Sequence, residues 1–160
     1  MWVLEWSRDL IPRVGVHLYA TIGASAKPML GGRGPDHRIE LLFGLEHPNR
    51  HIAGILASLA NYPHHHGTFL DQGHTVPGDE ALWGETKMSD FLLQEADHIL
   101  EPLVLPDRVH VHFLMAIPVY RAELEYKKEH GLDALSRWWD EAKVEITDPH
   151  RRPTPLPPPP

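Results

Sequence analysis

The 160-residue chain contains no cysteine and no long apolar run. Without cysteine it forms no disulfide, uses no thiol nucleophile and offers no thiolate ligand for zinc. Its longest apolar stretches, residues 52–60 and 113–119, are far shorter than the roughly 20 residues that cross a bilayer. The first residues also lack the basic and apolar regions of a secretory signal. We therefore expect a cytoplasmic protein without a membrane segment.

Basic side chains are also scarce, since 15 lysines and arginines stand against 22 aspartates and glutamates. The formal net charge is −7 when histidine is neutral. A protein that binds the phosphate backbone of nucleic acid relies on clustered lysine and arginine, so we expect no nucleic-acid partner. A basic protein partner would suit this charge better.

Proline is distributed unevenly along the chain. Seven of the 16 prolines fall in the last twelve residues. Proline lacks the backbone N–H that helices and sheets require, so this composition is typical of an extended, solvated segment. We predict one folded domain over residues 1–148, which is long enough to bury its own core, and a disordered proline-rich tail over 149–160.

Alternation of apolar and polar residues predicts strands over residues 14–22, 38–44, 90–94 and 109–119. The last of these becomes apolar on both faces towards its end, which indicates a central strand covered on both sides. The Gly/Pro-rich loop over 27–35 joins the first two strands, so they should be antiparallel neighbours. A shorter strand or hairpin is predicted around Gly73.

Apolar residues at helical spacing predict a helix that begins near Pro48 and ends before Pro63, because the residue before a proline disfavours helical geometry. Two further helices are predicted over 120–130 and 132–142, with Gly131 between them. The predicted fold class is therefore α+β: a mixed, mainly antiparallel sheet of about five to six strands, with helices packed against it, in a single domain.

Thirteen histidines make a metal site the first chemical question. His64 and His66 flank His65 after the predicted helix, and His74 follows nearby. Adjacent side chains of an extended chain point to opposite faces, so His64 and His66 could share an ion, joined by His74 if the chain folds back. The alternative is that these residues are polar loop side chains.

His110 and His112 are better spaced, because residues i and i+2 of a strand share a face. A third ligand would have to come from a neighbouring strand, for instance His17. The simpler interpretation is a half-buried polar face whose histidines bond to neighbours. No HExxH spacing is present. We predict no metal or cofactor, and keep a histidine-dependent metal-binding hydrolase as the alternative function.

Other catalytic patterns are incomplete. The segment around Ser25 lacks the second glycine of a nucleophile elbow, because position 27 is lysine. The glycines of 31–34 lack the Gly-Lys-Ser/Thr ending of a phosphate-binding loop. Glu40 is the acid most expected near the sheet interior, where a hydrogen-bonded structural role is the natural interpretation. We predict no catalytic residue.

Several segments, taken in order, resemble the Suppressor of fused domain in its bacterial single-domain form. They cover about residues 17–140 and read LYATIGAS at 18–25, IELLFGL at 39–45, LASLANY at 56–62, GHTV at 73–76, VHFL at 111–114, IPVY at 117–120 and HGLDAL at 130–135. No single segment is a chemical signature, so the resemblance lies in their order and spacing.

The resemblance implies an α+β domain that works by binding protein. The eukaryotic relative sequesters transcription factors by gripping a short peptide, and bacterial versions are thought to act as immunity proteins beside toxins. This chain lacks a second domain, so a clamp between two domains is not carried over. We expect a non-enzymatic domain, an immunity protein that binds a basic toxin domain or an extended peptide through its acidic helices or a sheet edge. A purely oligomerising domain is a third hypothesis.

Overall fold

The computed structural model describes residues 1–10, 15–31, 34, 36–78, 81–84 and 86–155. Its strands are β1 (Trp2–Trp6), β2 (His17–Ile22), β3 (His37–Leu45), β4 (Thr75–Val76), β5 (Asp90–Glu95), β6 (Leu103–Val104) and β7 (His110–Val119). Its α-helices are α1 (Ile52–His66), α2 (Arg121–His130) and α3 (Leu132–Ala142). None of these described helices is both long and apolar enough to cross a bilayer.

The seven strands form one sheet in the order β1-β2-β3-β7-β5-β4, and β6 pairs with the beginning of β7. All pairs are antiparallel except β3 and β7, which run parallel. Parallel neighbours need a crossover connection, and here the crossover contains α1, β4, β5 and β6. The predicted fold class, a mixed and mainly antiparallel α+β domain, is confirmed.

Helices cover both faces of the sheet. On one face α1 buries Ile52, Leu56 and Leu59 against inward side chains of β3, β5 and β7. On the other face α2 and α3 bury Leu124, Leu135, Trp138 and Trp139 against Leu92, Ile117 and Val119. The end of β7 thus contributes to both cores, as its two apolar faces predicted. Burial of this apolar surface is the main stabilising contribution to the fold.

The predicted elements match the observed ones with small shifts at their ends. The strand expected from Val14 is described from His17, and Val14 itself lies outside the described residues. The strand around Gly73 is only Thr75–Val76, and it pairs with β5 rather than forming a hairpin. Strands β1 and β6 were not predicted, because both are largely exposed and so lack the buried face that creates an alternating pattern.

The end of α1 contradicts the sequence prediction, because the helix continues through Pro63 to His66. A proline inside a helix removes one hydrogen bond and costs about 3 kcal/mol. Here its ring is buried in the core. Gly67, at φ 60°, then ends the helix, and both its N–H and that of Thr68 donate to the Pro63 carbonyl. Core packing and a well-capped last turn offset the lost bond.

Glu40 is buried on β3 and holds the turn that follows β2. Its carboxylate accepts hydrogen bonds from the backbone N–H groups of Gly23, Ala24 and Ser25, at 2.9, 3.3 and 3.0 Å. The hydroxyls of Thr21 and Ser25 donate to it as well, each at 2.6 Å. Successive N–H groups that converge on an anion form a nest. The structural role predicted for Glu40 is confirmed.

We predict that Glu40→Gln lowers the free energy of unfolding by about 2–3 kcal/mol, because an amide N–H₂ would face donors that now bond to a carboxylate. Urea denaturation measures the change. The matched control is Glu46→Gln, the same substitution at an exposed position. Equal stability of the two variants would contradict this role.

The chain beyond residue 148 packs against the helices as far as it is described. Arg151 is buried, and its guanidinium forms two 2.7 Å bonds to the carboxylate of Glu123, which is 1% exposed. Its Nη2 also donates to the Pro118 carbonyl. The Trp138 indole N–H donates to the Pro155 carbonyl at 3.1 Å.

These contacts lie beyond residue 148, where the folded domain was expected to end. Proline-rich composition excludes regular secondary structure, but it leaves carbonyl groups and neighbouring side chains free to bond with the domain. Residues 156–160 of the predicted tail lie outside the described residues.

We predict that Arg151→Met lowers the free energy of unfolding by about 3–5 kcal/mol, because it leaves the carboxylate of Glu123 buried without its counter-ion. Arg152→Met is the control, since Arg152 is adjacent and exposed, and it should change stability by less than about 0.5 kcal/mol. Chemical denaturation of both variants checks the difference. Similar values would show that residue 151 contributes no buried ion pair in solution.

Candidate functional site

A groove of about 500 Å³ opens between α1 and the sheet edge formed by β4. Apolar and aromatic side chains dominate its lining: Ile55, Leu59 and Tyr62 from α1, Val76 from β4, Phe91 from β5, and Leu82 and Trp83 from the loop between these strands. Concave, mainly apolar surfaces with a few polar groups are where proteins bind ligands and peptide side chains. We call this surface the edge groove.

Among the described residues, β4 pairs with β5 alone. Thr75 and Val76 pair with Leu92 and Phe91 of β5, and the Leu93 N–H donates to the His74 carbonyl at 2.9 Å. β4 is the last strand of the described sheet at this end. The N–H and C=O groups on the outer side of an edge strand are available to pair with another extended chain.

Trp83 forms the floor of the edge groove. It is 8% exposed, its ring packs edge-on against Phe43 at 6.1 Å, and its Nε1 is buried without a hydrogen-bond partner among the described residues. A buried donor left unpaired costs about 1–3 kcal/mol. No pattern in the sequence indicated this groove.

A second cavity of about 380 Å³ lies at the other end of β4. Tyr62 lines both cavities, so the two are neighbours along the edge. The second cavity also contains Gly73, His74, Thr75 and Lys127. We call it the lysine pocket.

Burial changes the pKa of one basic group and two hydroxyls. The pKa of Lys127 is lowered by burial and then by the charge of Lys128. The pKa values of Tyr19 and Tyr120 are raised, chiefly by burial. Both hydroxyls act structurally: Tyr19 donates to Glu5 and accepts from the Asn49 N–H, and Tyr120 donates to the Arg151 carbonyl.

The candidate ligands His64 and His66 lie in the last turn of α1, not in an extended segment. Residues i and i+2 of a helix do not face each other, so the pair expected to share an ion is separated. His66 stacks on Tyr62 at 4.2 Å, whereas His64 lines a different cavity beside the N-terminal residues. His74 contacts the Phe69 carbonyl through Nδ1 and does not join them.

His110 and His112 do share a strand face, at the beginning of β7. His112 lies 5.0 Å, ring to ring, from His37 on β3, a residue that the sequence reading missed. His17 is at the opposite end of that sheet region, because it pairs with Leu45 whereas His110 pairs with His37. At a rise of about 3.3 Å per residue these ends of β3 are roughly 25 Å apart.

No group of three or more histidine, aspartate or glutamate side chains is positioned to hold a metal ion within the described parts of the chain. The metal-binding alternative therefore has no assembled ligand set to support it here. The two cavities beside β4 are lined instead by apolar groups, in the edge groove, and by polar groups, in the lysine pocket.

An α+β domain with a seven-stranded mixed sheet, three helices and a one-sided edge strand is a fold shared with solved proteins. A family model described as Suppressor of fused protein (SUFU) matches residues 1–152. The chain therefore belongs to the Suppressor of fused family, as its sequence motifs indicated. No curated protein sequence matches it.

The solved structures that this chain resembles are distant in sequence. A SUFU homologue from Neisseria gonorrhoeae is 21% identical with a TM-score of 0.68, over 89% of this chain and 72% of that one. The Sufu–Fu complex is 18% identical with a TM-score of 0.69, over 94% of this chain and 74% of that one. Drosophila Suppressor of Fused is 16% identical with a TM-score of 0.71, over 94% of this chain but only 41% of that one. The TM-scores show a shared fold, and at these low identities the similarity shows the fold alone.

The edge groove contains one glycine whose substitution tests the geometry of its helical wall. Gly54 lies in α1 and lines the groove, and a Cβ added there meets no atom within 4 Å. Because glycine is about 1 kcal/mol less favourable than alanine inside a helix, we predict that Gly54→Ala stabilises the domain by about 0.5–1 kcal/mol. Thermal denaturation measures it, and a destabilised variant would contradict the open position of Gly54.

Proposed function

We propose that this chain is a non-enzymatic protein-binding domain that takes an extended segment of its partner along β4. The observation that carries the proposal is the combination of an edge strand and an apolar, aromatic groove beside it. Strand addition to a sheet edge is a recurrent way of recognising peptides.

The strand β4 and the edge groove recognise different features of the bound segment. Backbone groups of the added segment pair with β4, which supplies affinity independent of sequence. Alternate side chains of that segment point to the same side, so one apolar side chain can enter the edge groove and contact Phe91 and Trp83. The cavity selects that side chain by size and shape.

A protein partner is supported by the relatives as well. One of the solved structures that share this fold is a complex of Sufu with Fu. At 18% identity the identity of that partner does not transfer to this chain, so the shared element is the use of this fold for binding protein.

We further propose that the partner is basic and that the domain serves as an immunity protein that neutralises a toxin. The net charge of −7 favours encounter with a positively charged protein. Exposed acidic side chains are present on the two C-terminal helices: Glu125, Glu129, Asp133, Asp140 and Glu141. In this scheme the charged surface accelerates association and the edge groove provides the anchored contact.

We predict that filling the edge groove abolishes partner capture without unfolding the domain. Gly54→Phe places a ring in the groove from a position with open space around it. Affinity-tagged wild-type protein, Gly54→Phe and the matched control Gly54→Ala are expressed in the native host, and captured proteins are quantified by mass spectrometry. One protein should be retained by the wild type and by Gly54→Ala, and should fall at least about tenfold with Gly54→Phe, corresponding to about 1.4 kcal/mol.

The same capture experiment distinguishes binding at β4 from binding at the acidic surface of the C-terminal helices. A variant carrying Glu125→Lys and Glu129→Lys should weaken capture in a salt-dependent manner but not abolish it, because exposed charges mainly affect association rates. Capture that survives Gly54→Phe and is lost with the double lysine variant would move the binding surface to α2 and overturn the proposal. A partner encoded beside this gene and toxic without it would support the immunity role.

A further inference from the structure

Lys127 is a partly buried basic residue in a domain whose net charge is negative. It is half-buried near the end of α2, and its ammonium donates to the Gly73 carbonyl in the loop that leads into β4. It forms no ion pair with a carboxylate of the described residues. The buried Arg151, by contrast, has Glu123 as its counter-ion. A lysine that is partly desolvated without an acid is stabilised when an anion arrives.

Polar groups line the pocket around Lys127. Lys128 is its sequence neighbour, and the effect of its charge is to lower the pKa of Lys127 further. His74 lines the same pocket and uses Nδ1 to contact the Phe69 carbonyl. Thr68 and Thr75 add hydroxyl groups to the lining. The lysine pocket is therefore a local cationic site on a chain whose net charge is −7.

The lysine pocket lies next to the edge groove along β4. Thr75 of β4 lines the lysine pocket, the next residue Val76 lines the edge groove, and Tyr62 lines both. A segment added along β4 therefore passes the two cavities in succession. At about 3.3 Å per residue, side chains separated by up to about four residues can reach both.

We infer that the lysine pocket takes an aspartate or glutamate side chain of the bound segment, within about four residues of the apolar side chain in the edge groove. The carboxylate would accept a charge-assisted hydrogen bond from Lys127, which has two further N–H groups beyond the one directed at Gly73. This inference rests on the proposed function, and it specifies the chemistry of the segment. A partner that is basic overall would thus present a locally acidic recognition sequence.

The test uses the complete chain and a displayed library of random ten-residue peptides flanked on both sides by fixed linkers, so that no chain terminus supplies a carboxylate. Peptides retained by the wild-type protein are sequenced. The expected result is enrichment of aspartate or glutamate at a fixed distance, of four residues or fewer, from an apolar residue. The affinity of an enriched peptide should fall about tenfold with Lys127→Met, which is about 1.4 kcal/mol.

Lys128→Met is the matched control, because it removes the same charge from the adjacent exposed residue and should change affinity less than about twofold. Enrichment of peptides without a common acidic position would overturn the inference and leave the proposed function standing. Equal losses with the two lysine variants would also overturn it, since the attraction would then be non-specific. If Gly54→Phe retains the same peptides as the wild type, the proposed function itself fails.

Discussion

The parallel pairing of β3 with β7 is the constraint on which the rest of the molecule depends. These two strands occupy the centre of the sheet, with β2 and β1 attached through β3, and β5 and β4 attached through β7. Parallel neighbours cannot be joined by a tight turn, so the chain between them must leave the sheet and return. That excursion carries α1 over one face and delivers β4 to the far edge. The edge groove exists because the same crossover builds both of its walls.

Two buried carboxylates, those of Glu40 and Glu123, form hydrogen bonds to segments that lie outside the sheet. Glu40 binds the turn after β2 through backbone N–H groups, and Glu123 binds the chain after α3 through Arg151. Glu123 also accepts the Tyr120 N–H at the beginning of α2, so one side chain starts a helix and anchors the following segment. Each carboxylate converts an irregular segment into a fixed part of the domain, because leaving it unpaired would expose the full cost of burying a charge.

The sequence predicted what depends on local periodicity. β7 was recognisable because apolar residues occupy every second position from Val109 to Val119, and Glu40 because it lies between apolar positions of a predicted strand. The end of α1 was predicted wrongly, since a local rule for proline does not include the core into which Pro63 packs. Lys127 illustrates the remaining gap: its sequence context is that of an ordinary solvated helix, and only the tertiary contact with the loop at Gly73 makes it a pocket residue.

The proposed binding surface consists of β4 and the edge groove beside it. Hydrogen–deuterium exchange of the domain alone and of the domain saturated with its captured partner tests this most directly, because strand addition slows exchange of the backbone amides that it pairs. We expect slowed exchange over residues 73–78 and over the wall of α1 that faces the groove, with exchange in α3 unchanged. Protection confined to the acidic surface of α3, with residues 73–78 exchanging as in the free domain, would contradict it.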